Sequence, residues 1–362
     1  MPNYQGIWRP NEQPEKRKSG GVIATTPPVP SGPYQDSAAS GVWSLAEAFA
    51  YSKAGLWPTA GNAAQFAFFG GGNLGSTPRN TIEKLNIATT GNATDFGNLT
   101  ATTDLPASFG SSTRAVWSGG LISYVASNVI QYVTMATEGN ASDFGDLTVA
   151  RAGCSGSGNS TRGLTWSGGT FPSPISDRID YVTIATTGNA TTFGSCGQHA
   201  YWNASTSNST RSVMAGGHSG GGNLNIISYV AIATTGSASD FGDLTVSRSN
   251  AGGAATSTRA VFGGGSDGAG GALQNVIDYI TIASTGNATD FGDLTAARGP
   301  AGAAGLTRAV FGGGGTSGST TGSNIIDFVT IATTGNATDF GDLPTNRRGM
   351  AACSNAHGGL AA

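Results

Sequence analysis

From about residue 61 to its end, the chain repeats one pattern of apolar and polar positions. Each unit opens with small residues, such as RAGCSGSG at 151–158, and runs into TRAVFGGG, at 258–265 and again at 307–314. A loop of variable length follows. Then come an apolar-rich run such as VIDYITIA at 276–283, a TGNATD turn, and a run around FGDLT at 291–295. In the third run Ile277, Tyr279 and Thr281 alternate with Asp278, Ile280 and Ile282. That is the period of two of a strand, with apolar residues on both faces, as in a sheet covered on both sides. Gly-Asn in the turn supplies the positive φ of a tight reversal. The pattern predicts four strands per unit, with small residues in the first strand suited to a crowded centre.

Ile-Ala-Thr-Thr-Gly or a close variant begins at Ile87, Met135, Ile184, Ile232, Ile282 and Ile331, at spacings of 48, 49, 48, 50 and 49 residues. A regular period of this length, rich in Gly and β-branched residues, predicts a propeller blade. The expected fold is all-β, with a six-bladed β-propeller over 61–362. The first unit has little first-strand material before Phe66, while MAACSNAHGGLAA at 350–362 resembles an orphan first strand. A strand within 350–360 is therefore expected to complete the first blade and remove an exposed edge. The alternative is a seventh blade shared with another chain.

Residues 1–60 do not repeat. Residues 8–40 are polar and rich in Pro, Gly and Ser, too poor in apolar surface to offset ordering entropy alone. Ser44 and Glu47 have capping-box spacing, and Leu45, Ala48 and Phe49 then share one face. Gly55 and Pro58 end the element. A short helix around 45–54 is expected in an extended N-terminal arm. Trp43, Leu45, Phe49, Leu56 and Trp57 form its apolar surface, which packs on its own domain or docks on a neighbour.

Composition narrows the function. The formal net charge is −3 and only 11% of residues are charged, which argues against a nucleic-acid partner. No apolar stretch approaches membrane-spanning length, so no membrane insertion is expected, and no signal peptide is recognised at Met1. The three cysteines, Cys154, Cys196 and Cys353, make no disulfide framework or zinc motif and read as small buried residues. The histidines, His199, His218 and His357, fall in different units, so no catalytic triad or metal pair assembles. The chain reads as a non-enzyme with no cofactor and no metal.

The repeat resembles the kelch-type propeller. The resemblance rests on paired glycines after the second strand (Gly119 and Gly120, Gly168 and Gly169, Gly216 and Gly217), and on aromatics in the third (Tyr132, Tyr181, Tyr229, Tyr279, Phe328). Phe96, Phe144, Phe193, Phe241, Phe291 and Phe340 stand where kelch repeats usually have Trp, with Arg151, Arg248, Arg298 and Arg347 after them. The wording ATTGNATDFGDLT, and SGVWSLAEAFAYSKAGLWP at 40–58, also resemble virion structural and tail-fibre-like proteins of tailed phages, aquatic ones especially. The resemblance implies a virion component, made without a leader, whose partners are copies of itself or other virion proteins.

Four sets of residues carry candidate roles. Asp-Phe-Gly recurs five times on the period, which makes it structural, with Phe a core plug and Asp a turn cap. Arg114, Arg162, Arg211, Arg259 and Arg308 also recur, and are expected to clamp neighbouring blades by holding an Asp of a DFGD turn; a ring of Arg at one mouth, binding an anion, is the alternative. Asn92, Asn140, Asn189, Asn287 and Asn336 sit in Asn-x-Ser/Thr sequences and read as turn residues or as glycan acceptors. His199, Tyr201, Trp202 and Asn203 have no counterpart in other units. They read as an aromatic filler or as a stacking site for a host-surface carbohydrate. The expected function is a structural component of a phage particle, a tail fibre, appendage or surface protein, assembling through its arm. The alternatives are a carbohydrate-binding propeller and a subunit of a non-viral extracellular fibre.

Overall fold

The computed structural model describes residues 65–170, 174–267, 272–316 and 322–360. The expected arm, its helix and Trp43, Leu45, Phe49, Leu56 and Trp57 lie outside the described residues, as do parts of two variable loops, 268–271 and 317–321. Gln65–Ala362 form one structural unit.

The fold is all-β and propeller-like. Among the described residues, six four-stranded antiparallel sheets follow one another along the chain. Sheet 1 comprises Ala351–Ser354, Phe66–Gly70, Thr81–Asn86 and Thr94–Asn98 in that spatial order. Sheet 2 comprises Ala107–Gly110, Arg114–Ser118, Val129–Thr134 and Ser142–Asp146. Sheet 3 comprises Ser155–Gly158, Arg162–Trp166, Arg178–Thr183 and Thr191–Ser195. Sheet 4 comprises Ala204–Ser207, Arg211–Ala215, Ile226–Ala231 and Ser239–Asp243. Sheet 5 comprises Gly252–Ala255, Arg259–Ser266, Leu273–Thr281 and Thr289–Asp293. Sheet 6 comprises Gly299–Ala304, Arg308–Gly315, Ser323–Thr330 and Thr338–Arg347. The C-terminal strand Ala351–Ser354 pairs with Phe66–Gly70, in the register Ala67 to Ser354 through Gly70 to Ala351.

The hydrophobic core lies between sheets rather than inside any one of them. Six buried clusters each draw on two neighbouring sheets, from Phe68, Phe96, Trp117 and Val133 between sheets 1 and 2 round to Phe69, Val310, Ile326 and Phe340 between sheets 6 and 1. The first strands touch in the same cyclic order and surround a central cavity lined by Ser, Gly and Ala. Their small side chains are what lets six backbones converge.

The fourth strand explains Asp-Phe-Gly. Where it pairs with the third strand the register shifts at Phe, as in Ile277 to Gly292 followed by Asp278 to Asp290. Phe291 is the extra residue of the bulge and drops into the core at 2% exposure. It meets Tyr279 edge-on, with ring centroids 5.9 Å apart. The glycine that follows is needed for space as well as conformation. Gly292 has a φ of +144°, and a Cβ there would lie 2.5 Å from the Gly335 carbonyl oxygen of the next sheet.

That close approach covers the outer edges. Each TGNAT turn lies along the fourth strand of the preceding sheet. Gly335 N–H donates to Phe291 O and Ala337 N–H to Asp293 O, and the same pair of bonds occurs at all six joints, including Gly91 to Phe340 and Ala93 to Asp342. At five joints an Asn side chain adds a third bond, Asn140, Asn189, Asn287, Asn336 and Asn92 each accepting a fourth-strand N–H at 3.0 Å. Ser237 takes the place of Asn at the joint of sheets 3 and 4. These amides act as inter-sheet caps, each bond contributing about 1 kcal/mol.

Candidate functional site

Arg114, Arg162, Arg211, Arg259 and Arg308 each start a second strand and lie over the third-strand aromatic of their own sheet. The guanidinium carbon is 4.5, 4.9, 4.7, 4.4 and 4.9 Å from the centroids of Tyr132, Tyr181, Tyr229, Tyr279 and Phe328 respectively. Their acceptors are not the expected DFGD carboxylates. Nη1 donates to main-chain carbonyls of the next sheet: Arg114 to Ile184 at 2.8 Å, Arg162 to Ile232 at 2.9 Å, Arg211 to Ile282 at 2.9 Å, Arg259 to Ile331 at 2.9 Å and Arg308 to Ile87 at 3.3 Å. The DFG carboxylates, such as Asp290, are exposed on the outer strand.

The buried ion pairs belong to the other arginine series. Arg151 meets Asp180 at 3.0 Å, Arg248 meets Asp278 at 2.8 Å and Arg298 meets Asp327 at 2.7 Å, all fully buried, and Arg347 pairs with Glu83. Each links the end of one sheet to the third strand of the next. Burial pushes the Arg347 guanidinium down to about 10, and nearby Arg79 adds to the shift. Thr148, Thr245 and Thr295 donate to Asp180, Asp278 and Asp327 as well. Two joints are neutral. Thr103 and Gln131 replace the pair between sheets 1 and 2, where Gln131 accepts from Thr100 N–H at 2.7 Å. Ala200 and Ser228 replace it between sheets 3 and 4.

The residue two after each of these positions lies at one mouth of the central cavity. Gly349, Leu105, Gly153, Trp202 and Asn250 all adopt the left-handed conformation, with φ of 67, 53, 66, 59 and 58°. Four of their N–H groups donate to the carbonyl of the one before: Leu105 to Gly349 at 2.8 Å, Gly153 to Leu105 at 3.0 Å, Trp202 to Gly153 at 2.7 Å and Asn250 to Trp202 at 2.6 Å. Pro300 holds the sixth place and interrupts the belt, because it has no N–H and a fixed negative φ. A left-handed φ costs an L-residue about 1–2 kcal/mol, so Leu105 and Trp202 are strained where Gly153 and Gly349 are not.

Of the four residues singled out between sheets 3 and 4, the structure brings two together at this mouth. The Tyr201 and Trp202 rings meet edge-on at 4.5 Å, and His218, from the loop after the second strand of sheet 4, joins them at 5.3 Å from Tyr201. His218 Nδ1 bonds Asn223 Oδ1 at 2.8 Å, which makes it the donor there. His199 is exposed and bonds the Ile175 carbonyl at 3.0 Å, outside this cluster. Asn203 is buried inside the cavity, where its Oδ1 accepts from the Ser155 hydroxyl and its Nδ2 donates to the Ser167 hydroxyl, so it offers no surface amide. His199 and Asn203 therefore do not belong to one stacking surface with the two aromatics. His218 and Asn250 do belong at the mouth. Counting two residues on from each Arg position would have placed Asn250 in line with Trp202.

The opposite mouth is filled by the C-terminus. His357 Nε2 lies 2.9 Å from the Gly110 carbonyl, and Gly359 N–H donates to His357 Nδ1 at 3.1 Å. The ring is neutral with the proton on Nε2, and burial lowers its pKa. A Cβ on Gly358 would strike the Thr256 carbonyl, and one on Gly359 the Gly158 carbonyl, so the turn Gly358–Leu360 is wedged among several first strands.

The cysteines are free and buried, and burial pushes the Cys154 and Cys196 thiols to about 11 and Cys353 to about 12. Among the described residues no group of three or more His, Cys, Asp or Glu could hold a metal ion, and no helix is long and apolar enough to cross a membrane. No protein-family model matches the chain, and no curated protein sequence matches it.

Proposed function

We propose that Gln65–Leu360 is a six-bladed, kelch-like propeller closed by Ala351–Ser354, and that it is the non-enzymatic display block of a structural protein of a phage particle. The observation that carries the reading is the covering of sheet edges. Every fourth strand is hydrogen-bonded by the next sheet's turn, and the first strand of sheet 1 comes from the far end of the chain. Such a ring has faces for contacts but no edge for strand addition, which suits a rigid block repeated on a particle. Its repeated arginines are engaged in joints: Arg298 in an ion pair and Arg259 on a carbonyl are two examples. The virion role comes from the resemblance of the repeats and of residues 40–58 to tail-fibre-like proteins. In this reading residues 1–60 dock on other copies or other virion proteins, with Trp43, Leu45, Phe49, Leu56 and Trp57 as the contact.

Electron microscopy of the full-length chain beside a chain beginning at residue 61 tests this. The full chain is expected to form oligomers or filaments and the shorter one single rings with six radial units. Single rings from both would overturn the docking role of the arm, and a different number of radial units would overturn the propeller. Filaments from the full chain with no affinity for phage particles would favour a non-viral extracellular fibre.

A further inference from the structure

The mouth opposite the C-terminal turn opens into a polar cavity of about 90 Å³. Its lining residues are uncharged. The left-handed belt decides which of them carry side chains at the rim. Gly153 and Gly349 have none, and Pro300 packs inward, buried. That leaves Leu105, Trp202 and Asn250, all half-buried and so in reach of solvent. Trp202 and Asn250 are consecutive in the belt and joined through the main chain. Six-fold repetition would make the mouth featureless, and these two residues break it on one side.

The indole is held in place. A Cβ on Gly153 would lie 3.1 Å from the Trp202 ring, so the ring lies over that backbone and is kept there by the Tyr201 edge. A bulky side chain at positive φ is an outlier, and strain of this kind concentrates where a ligand is held. Past Asn203, Ala251 and Pro300 this cavity adjoins the next part of the central channel, also polar, and there the Ser205 hydroxyl, nine-tenths buried, has no hydrogen-bond partner. An unmet buried hydroxyl in a polar cavity leaves an acceptor and a donor for something that enters.

We infer that this mouth binds one residue of a neutral sugar, stacked on Trp202, with its hydroxyls on the Asn250 amide and directed toward Ser205. An uncharged polar lining disfavours anions and cations alike. An aromatic face beside an amide matches a pyranose, which has an apolar C–H face and a rim of hydroxyls. The cavity has room for one ring substituent rather than a chain, so the sugar is a terminal residue or a free monosaccharide. The site rests on the arrangement of the sheets around the cavity and not on the virion role, so it stands or falls separately from that role.

The test is an NMR titration of the full-length chain, labelled at the tryptophan indoles, with D-galactose, D-glucose and N-acetyl-D-glucosamine in the millimolar range. The Trp202 resonance is identified by its loss in Trp202→Gly. Saturable movement of that resonance by at least one sugar is expected. Trp202→Gly should weaken binding by about tenfold or more. It should melt no lower than the parent, because glycine suits the left-handed position. His199→Ala, outside the mouth, should bind as the parent does. The proposal is overturned if none of the three sugars moves the Trp202 resonance, or if Trp202→Gly binds as well as the parent. It is also overturned if Trp202→Gly melts well below the parent, which would make the indole a structural plug. Failure to find filaments or phage attachment would leave this result unaffected.

Discussion

Lys84 holds its Nζ 4.2 Å from the centroid of the Phe66 ring. Phe66 occupies the position of Arg114, Arg162, Arg211, Arg259 and Arg308, and Lys84 that of Tyr132, Tyr181, Tyr229, Tyr279 and Phe328. Sheet 1 therefore keeps the cation–π pair of the other five sheets with the two roles exchanged. The exchange removes the guanidinium that would reach toward the Met135 carbonyl, so the joint of sheets 1 and 2 has neither an arginine clamp nor a buried ion pair.

Phe66→Arg alone should set two cations against each other and lower stability by about 1 kcal/mol. Phe66→Arg with Lys84→Tyr restores the common orientation and supplies a donor for the next sheet. Calorimetry should show the melting temperature fall by about 2–4 °C in the single variant and return to the parental value or above in the double. Additive losses in the double would show that the two residues act independently.

Asp327→Asn should cost about 3–5 kcal/mol, because Arg298 is left buried with no counter-charge. The chain carries its own neutral replacement for the pair in Thr103 and Gln131. Arg298→Thr with Asp327→Gln should then recover most of the loss, since Thr295 retains an acceptor as Thr100 does on Gln131. Urea unfolding of the single and double variants measures the recovery. A double variant as unstable as the single would show that the ion pair cannot be replaced at this joint.

Two groups give opposite pH dependences. His357 is half-buried in the C-terminal turn, and desolvation there holds its folded pKa below its unfolded value of 6.5. The neutral ring contributes fully above pH 6.5, and the contribution is lost as pH falls through the lowered folded pKa. Asp104 is raised by burial from 3.8 to about 6, so its ionised form lowers stability at pH 7 and protonation between about 6 and 4 restores it. His357→Gln should flatten the acid limb of a melting-temperature profile below pH 6.5. Asp104→Asn should raise stability at pH 7 by on the order of 1 kcal/mol and steepen the fall on acidification. An unchanged profile in His357→Gln would mean that the C-terminal turn releases without protonation.

The four-stranded antiparallel sheets were legible because alternation in runs such as 276–283 and the glycine-rich turns are local signals. Phe291 as a core plug was legible for the same reason. The acceptors of Arg114 and its equivalents were not, since a main-chain carbonyl has no side-chain signature and the neighbouring aspartates offered a more obvious partner. Nor were the ion pairs, because Asp278 reads only as the polar member of an alternating strand until Arg248 is placed beside it. Tyr201 and Trp202 stood out by breaking the repeat, but their company did not. Tertiary folding turns His199 toward Ile175, buries Asn203, and supplies His218 from another sheet.

The buried ion pairs bear on how such a chain could grow. Arg151 and Asp180, Arg248 and Asp278, and Arg298 and Asp327 lie 29, 30 and 29 residues apart, within the 48-residue period. A duplicated segment beginning at the arginine copies both halves of a joint at once, together with the turn that covers the preceding edge. The heritable module is then the seam between two sheets rather than a sheet. A newly inserted copy arrives matched to itself, and only the seam of sheets 6 and 1, where Arg347 must find Glu83 across the length of the chain, has to be matched anew.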